Sequence, residues 1–261
     1  VMALGDVPVV KSSTAATYGN PGQNSIPLLE GYQDDCIASR MFPESQLMPA
    51  KANFAEVINW YEVEISATNP DFELSSEDID FLKIPTNIYG ITKAMDEVIL
   101  AKCAGKGRRY ISLRYFNASG ADGSRLIGED HNPETHLIPI VLEVALGQRE
   151  HITVFGDDYE TEDGTAVRDY ISVEELADAH LRCMDHLIQG GESGIFNLGS
   201  SNGFSVREII DVARGVTGHE IPEKSGGRRS GDPAVLVADS SLIEEKLGWV
   251  ARNSLEETLE S

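Results

Sequence analysis

Positive charge is scarce in this chain. Lysine and arginine number 21 against 43 aspartates and glutamates, a formal net charge of −22. Nucleic acid and anionic membrane both call for cationic surface, so neither is an expected partner. Cysteine is scarcer still. Cys36, Cys103 and Cys183 are widely spaced and form no CxxC. That excludes a disulfide framework and fits a reduced, cytoplasmic setting. No apolar run approaches the ~20 residues of a membrane span. The opening VMALGDVPVVKSS lacks the basic and long apolar regions of a signal peptide. The histidines form no HxxxH or HExxH. HNPETH does bring His131, Glu134 and His136 into one short stretch, but a polar loop of this kind reads as a hydrogen-bonded turn, and no metal is expected.

What is present is an alternation of strand and helix signals. The 261 residues can bury a sizeable core, in one large domain or two smaller ones. VPVVKSS reads as a short buried strand opening into a loop. In YGITKAMDEVILAKCAGKG, Ile91, Ala94, Met95, Val98 and Ile99 recur at helical spacing, with Gly105 as the stop. RYISLRYFN reads as the next strand. LIPIVLEVALGQ, a helix ended by Gly147, is followed by the strand HITVFG. In SVEELADAHLRCMDHLIQGG, Ser172 and Glu175 read as a capping box, and Ser205 with Glu208 do the same for SVREIIDVARGVTG. GIFNLGS lies between them as a strand, and SSLIEEKLGW reads as a last small helix. Strand–helix alternation of this kind predicts α/β with a parallel sheet. Residues 33–84 fit none of this. They are acidic, not low in complexity, and read as an inserted excursion in which SSEDIDFL could start a helix.

Within this frame YGITK places Tyr89 and Lys93 one helical turn apart, on a shared face. The bland reading is a packed ring beside a solvated amine. The sharper one is a lysine that keeps the tyrosine anionic, making it a base. The pair alone decides nothing.

Longer strings decide more. SSTAATYG (12–19), YGITK (89–93), SLRYFNASGA (112–121), IGEDHNPETHLIP (127–139), VFGDDYETEDGT with VRDYI (154–171), and GRRSGDPAVLVADSS (227–241) occur in order. With these strings the chain resembles the UDP-glucose 4-epimerases, members of the extended short-chain dehydrogenase/reductases. The likeness covers nearly everything outside 33–84. YxxxK marks only the superfamily, whereas the GEDHNPETHLIP and VFGDDYETEDGT strings are far more specific.

The resemblance implies interconversion of UDP-glucose and UDP-galactose by NAD-dependent 4-epimerisation, as in galactose metabolism. It implies Tyr89 as the base, Lys93 as its electrostatic support, and Thr14 as a hydroxyl that orients the sugar proton. It leaves Ser12, Tyr89, Lys93 and Tyr115 to touch NAD. It assigns the UDP-hexose to Thr14, Asn117, His136, Leu137, Thr153, Val154, Phe155, Arg168, Arg229, Asp232 and Leu236. Arg168 and Arg229 would take the diphosphate, for which the guanidinium fork is suited. Members of the family are homodimers.

Two departures qualify it, the 33–84 excursion and a missing glycine turn. No GxxGxxG turn precedes SSTAATYG, although such a turn holds the pyrophosphate in this family. The expected fold is therefore the second half of a Rossmann-like parallel sheet with a smaller α/β substrate-binding domain. The expected boundaries are 1–117 for the remaining half of the NAD-binding domain, interrupted at about 33–84, and 118–261 for the substrate domain. Within the latter, about 168–198 would return to the sheet. On this reading the chain is a truncated or remodelled epimerase, and the alternative is a UDP-sugar-binding module without redox activity. A nucleotide-sugar dehydratase is disfavoured, because Ala15 and Ala16 follow Thr14 where that chemistry uses an Asp–Glu pair.

Overall fold

The computed structural model describes residues 7–18, 73–82, 88–104, 108–229 and 232–261. Most of the 33–84 excursion lies outside them. Its described part holds the helix α1 (Ser76–Leu82). There Ser75 Oγ accepts from the Asp78 amide at 3.2 Å, and the Asp78 carboxylate accepts from the Ser75 amide at 2.7 Å. This reciprocal arrangement is a capping box with aspartate in the place of glutamate.

The sheet that carries the SST and SLRY segments has the order β1 (Val9–Thr14), β2 (Tyr110–Tyr115), β7 (Gly194–Leu198), all parallel. Its register sets Ser13 beside Arg114 and Thr14 beside Tyr115. The α/β class and the parallel sheet expected from the sequence are both present. The strand read at Val7–Val10 runs on to Thr14 and is only partly buried; among the described residues it pairs on one side alone, with β2.

β2 alternates its side chains between two covered faces. Ile111 and Leu113 enter a core with Phe196, Leu198, Ile243, Trp249 and the inner face of α4 (Val173–Ile188). Ser112 and Arg114 turn the other way, and Arg114 meets α2 (Ile88–Ala104). A strand buried on both sides needs a near-continuous apolar run, which YISL supplies. Cys183 is buried within α4, and burial pushes its thiol up to about 12, so it is an inert core residue.

A second core joins α3 (Leu137–Ala145), α5 (Val206–Thr217), β4 (Ile152–Phe155) and a helix that the sequence reading missed, α7 (Leu255–Glu260). Ser254 and Glu257 cap α7 reciprocally, as Ser205 and Glu208 cap α5. The capping box expected at α4 is a correction. Ser172 caps through the Glu174 amide, while Glu175 instead accepts the backbone amides of Arg252 and Asn253. Short strands complete the second layer. β3 (Asn117–Ser119) pairs with β6 (Tyr170–Ser172), β4 with β9 (Glu223–Gly226), and β5 (Val167–Arg168) lies between β8 (Phe204–Ser205) and β10 (Val235–Leu236). The small helix read in SSLIEEKLGW is α6 (Ser241–Leu247). No helix among the described residues is long and apolar enough to cross a membrane.

Candidate active site

Tyr89 and Lys93 occupy the first two turns of α2, so the helix itself sets their spacing. Lys93 Nζ lies 5.6 Å from the Tyr89 ring centroid and donates to the Ser12 carbonyl at 3.4 Å. Burial lowers the Lys93 pKa, the nearby Lys11 charge lowers it further, and Asp96 opposes both. Lys11 is itself ion-paired with Asp96.

One turn beyond Lys93, Glu97 is buried and fully engaged. Its carboxylate accepts from Arg114 Nε at 3.0 Å and Nη2 at 2.5 Å, and from Ser13 Oγ at 2.6 Å. The same face of α2 is thus bonded to both strands that carry the neighbouring site residues. On the opposite face of the sheet, the Tyr115 hydroxyl is hydrogen-bonded to Ser12 Oγ and stands 2.7 Å from His180 Nε2. His180 Nδ1 lies 2.7 Å from the Leu176 carbonyl, which can only accept, so Nδ1 carries a proton. Burial raises Tyr115 to about 12, against the pull of the Ser12 hydrogen bond.

A cavity of about 660 Å³ opens beside Tyr89. Thr14, Tyr89, Tyr115 and Asn117 reach it from the sheet and α2. His136 and Leu137 reach it from the start of α3, and Thr153 and Phe155 from β4. Arg168, Arg229, Asp232 and Leu236 complete the set. Ser12 and Lys93 stand outside its lining. Val154 also stands outside it: strand alternation turns its side chain from the cavity into the core, where it is 2% exposed.

The cavity's charges are not loose. Arg168 is buried, ion-paired with Asp232, and donates to the Pro233 carbonyl at 2.9 Å and the Val167 carbonyl at 2.7 Å. Arg229 lies over the Phe155 ring, 4.5 Å from its centroid. Leu236, 2% exposed, packs with Ala15, Tyr89 and Phe116. Next to Arg168, the buried Asp169 accepts from the amides of Ser200, Ser201 and Ala238 and from Ser200 Oγ, at 2.7–3.0 Å. Gly199 leaves room for that carboxylate, since a Cβ there would collide with Asp169 and Ala238.

Four residues of this arrangement were not read from the sequence: Glu97, Arg114, Asp169 and His180. Glu97 carried a signal, as it continues the four-residue spacing of Tyr89 and Lys93. The others lie inside strings quoted above, but their partners are remote in sequence.

Residues 62–199 match the model of the NAD dependent epimerase/dehydratase family, more than half of the chain. The chain belongs to that family. It is similar to the UDP-glucose 4-epimerase of Halalkalibacterium halodurans, 55% identical over 177 residues that make up 67% of this chain and 53% of the relative. Among solved structures, a UDP-glucose 4-epimerase matches with a TM-score of 0.73 at 42% identity, covering 97% of this chain and 62% of the other. The UDP-glucose 4-epimerase of Brucella ovis in complex with NAD matches with a TM-score of 0.72 at 36% identity, covering 97% and 62%. The chain spans about half the length of the curated relatives it matches.

Proposed function

We propose that this chain carries the sugar-nucleotide site of a UDP-hexose 4-epimerase that interconverts UDP-glucose and UDP-galactose with NAD. The observation that carries the reading is the single cavity into which Thr14, Tyr89, Arg168, Arg229 and Asp232 all project from separate segments of the chain. The same reading divides the chain near residue 117 into a cofactor part and a substrate part, with 168–198 returning to the sheet.

NAD is the cofactor that the family implies. The residues present offer polar groups suited to its nicotinamide end: the Lys93 amine donates to the Ser12 carbonyl, and the Tyr115 hydroxyl is hydrogen-bonded to Ser12 Oγ. Ser12, Tyr89, Lys93 and Tyr115 would hold that end. A glycine-rich turn for the pyrophosphate is not found among the described residues. When bound, NAD supplies reversible hydride acceptance at the sugar's C4.

The protein's own part is proton transfer and positioning. A tyrosine ordinarily ionises near 10, which makes it a poor base at neutral pH. A cation one helical turn away favours the phenolate. Tyr89 then takes the proton of the 4-hydroxyl and returns it after the sugar has turned over. Thr14 orients that hydroxyl. Ala15 and Leu236, against which Tyr89 packs, keep its ring in place. Arg168 and Arg229 bind the diphosphate, and Asp232 accepts from the ribose hydroxyls. Phe155 offers the uracil a flat apolar surface.

Two measurements test this together. UDP-galactose binding is measured by calorimetry, and turnover is measured with NAD supplied. Tyr89→Phe should leave binding near normal and reduce turnover by roughly the 10²–10⁴-fold that general acid–base catalysis contributes. Arg168→Ala should weaken binding itself. Unchanged turnover in Tyr89→Phe excludes it as the base. Binding without any turnover in the unsubstituted chain favours the second reading, a UDP-sugar-binding module. That reading draws on the uridine-side groups all lying in the described cavity. Light scattering checks for the homodimer.

A further inference from the structure

The loop between β3 and α3 brings together side chains that the proposed reaction does not use as a group. Glu129, His131, Glu134 and His136 each present one atom able to ligate a metal, and these atoms all lie within 4.8 Å of one another. His136 Nδ1 stands 2.6 Å from Glu129 Oε1 and 2.9 Å from Glu134 Oε1. His131 Nδ1 stands 3.6 Å from that same Glu134 oxygen. The two imidazole rings are 5.1 Å apart between centroids.

The sequence reading of HNPETH as a hydrogen-bonded turn accounts for part of this. Glu134 Oε1 accepts the amides of Thr135 and His136 at 2.6 and 2.7 Å, which holds the carboxylate in place. A turn does not require Glu129 and His131 to converge on the same point. It also sets two carboxylates against one ring nitrogen, which carries at most one proton.

A dication accounts for both features. Its charge balances the two carboxylates, and it needs deprotonated nitrogen and oxygen donors facing inward. A tetrahedral ion with bonds of about 2.0–2.2 Å holds its donors roughly 3.3–3.5 Å apart. The 3.6 Å separation lies next to that range, whereas 2.6 and 2.9 Å are hydrogen-bond distances that a bound ion would widen. Two imidazoles with two carboxylates suit Zn²⁺, whereas magnesium and calcium prefer all-oxygen shells. The two amides on Glu134 are the kind of outer contact that orients a ligand. Glu134 is 8% exposed at its side chain while Glu129 is 34% exposed, so an ion has a path in from solvent.

We propose that Glu129, His131, Glu134 and His136 form a four-coordinate divalent-cation site, suited to Zn²⁺, that fixes the 128–136 loop as one wall of the cavity. Glu134 and His136 belong to both the cluster and the cavity lining, so the ion would set the position of that wall.

The test uses the full chain, stripped with a chelator and then titrated with Zn²⁺ against a chromophoric competitor. One tightly bound ion per chain is expected, and Co²⁺ in its place should give the intense visible bands of four-coordinate cobalt. His131→Ala and Glu129→Gln should each weaken Zn²⁺ binding at least about tenfold, the lower end of the range seen for disturbing even an outer contact. Circular dichroism shows whether each variant has folded, and the cobalt spectrum of the unsubstituted chain decides independently of them. Absence of stoichiometric binding, a six-coordinate cobalt spectrum, or tight binding that survives His131→Ala combined with Glu129→Gln would each overturn the proposal. Each readout is independent of turnover, so failure of the epimerase reading leaves the result interpretable.

Discussion

The Glu97 carboxylate grips the Arg114 guanidinium with both oxygens, at 3.0 and 2.5 Å, in a place where both residues are buried. This pair ties α2, which carries Tyr89 and Lys93, to β2, and Ser13 ties it to β1. A buried ion pair is weak support for stability as such, since desolvation offsets most of the attraction. Its value here is registry: it fixes how far α2 can slide along the sheet.

Breaking one partner should therefore be costly, while replacing both should not. Glu97→Leu removes the carboxylate that the buried Arg114 guanidinium bonds and should destabilise by about 3–5 kcal/mol. Glu97→Leu with Arg114→Met should recover most of that loss. If the pair sets registry, the double variant melts near the parent temperature but turns over more slowly with an unchanged KM. Full recovery of kcat as well would show that the pair only fills space.

Lys93 gives a prediction in pH. Its folded pKa is lowered by burial and by Lys11, so the unfolded chain holds the proton more tightly. Its contribution to stability is therefore present above the ordinary lysine value and lost as pH falls through the lowered one. At neutral pH the charged lysine costs stability. Lys93→Met should melt higher than the parent near pH 7, with the advantage shrinking toward about pH 10, where an unfolded lysine begins to titrate. Turnover should move the opposite way, because no ammonium then supports Tyr89. A Met variant that is less stable near pH 7 would show that Lys93 is held by favourable pairing.

What the sequence disclosed follows from how local each signal is. The α2 periodicity, the Ser205–Glu208 capping box and the parallel run of β1 and β2 are written within a few residues and are found where expected. Glu175 has the spacing of a capping box yet bonds amides 77 and 78 positions away, a choice that only tertiary structure makes. Strands of two residues, such as β5, β8 and β10, have no periodicity to read, and their existence depends on the pairing itself. The α7 cap had a readable signal, Ser254 followed by Glu257, that was passed over. At the site, residue types and strings pointed to Tyr89, Lys93, Thr14 and the two arginines. They could not reveal that Arg168 is bound to Asp232 or that Glu97 is bound to Arg114, since those contacts span 64 and 17 positions.

The last prediction concerns sugar choice and rests on the proposed epimerase reading. The resemblance places the residue four past Asp232 beside the sugar's C2 substituent, where a tyrosine restricts the pocket and a smaller residue admits an N-acetyl group. In this chain that residue is Leu236, which lines the cavity and also packs with Ala15, Phe116 and Tyr89. The two roles make different forecasts for Leu236→Tyr. If its bulk governs the pocket, the parent accepts UDP-N-acetylglucosamine as well as UDP-glucose. The substitution then lowers kcat/KM for the former by roughly 10–200-fold relative to the latter, the range that small differences in pocket size supply. If Leu236 matters as backing for Tyr89, the larger ring displaces the base, and both sugars lose kcat together. Measuring both substrates before and after the substitution separates these, because selectivity changes in the first case and only rate in the second.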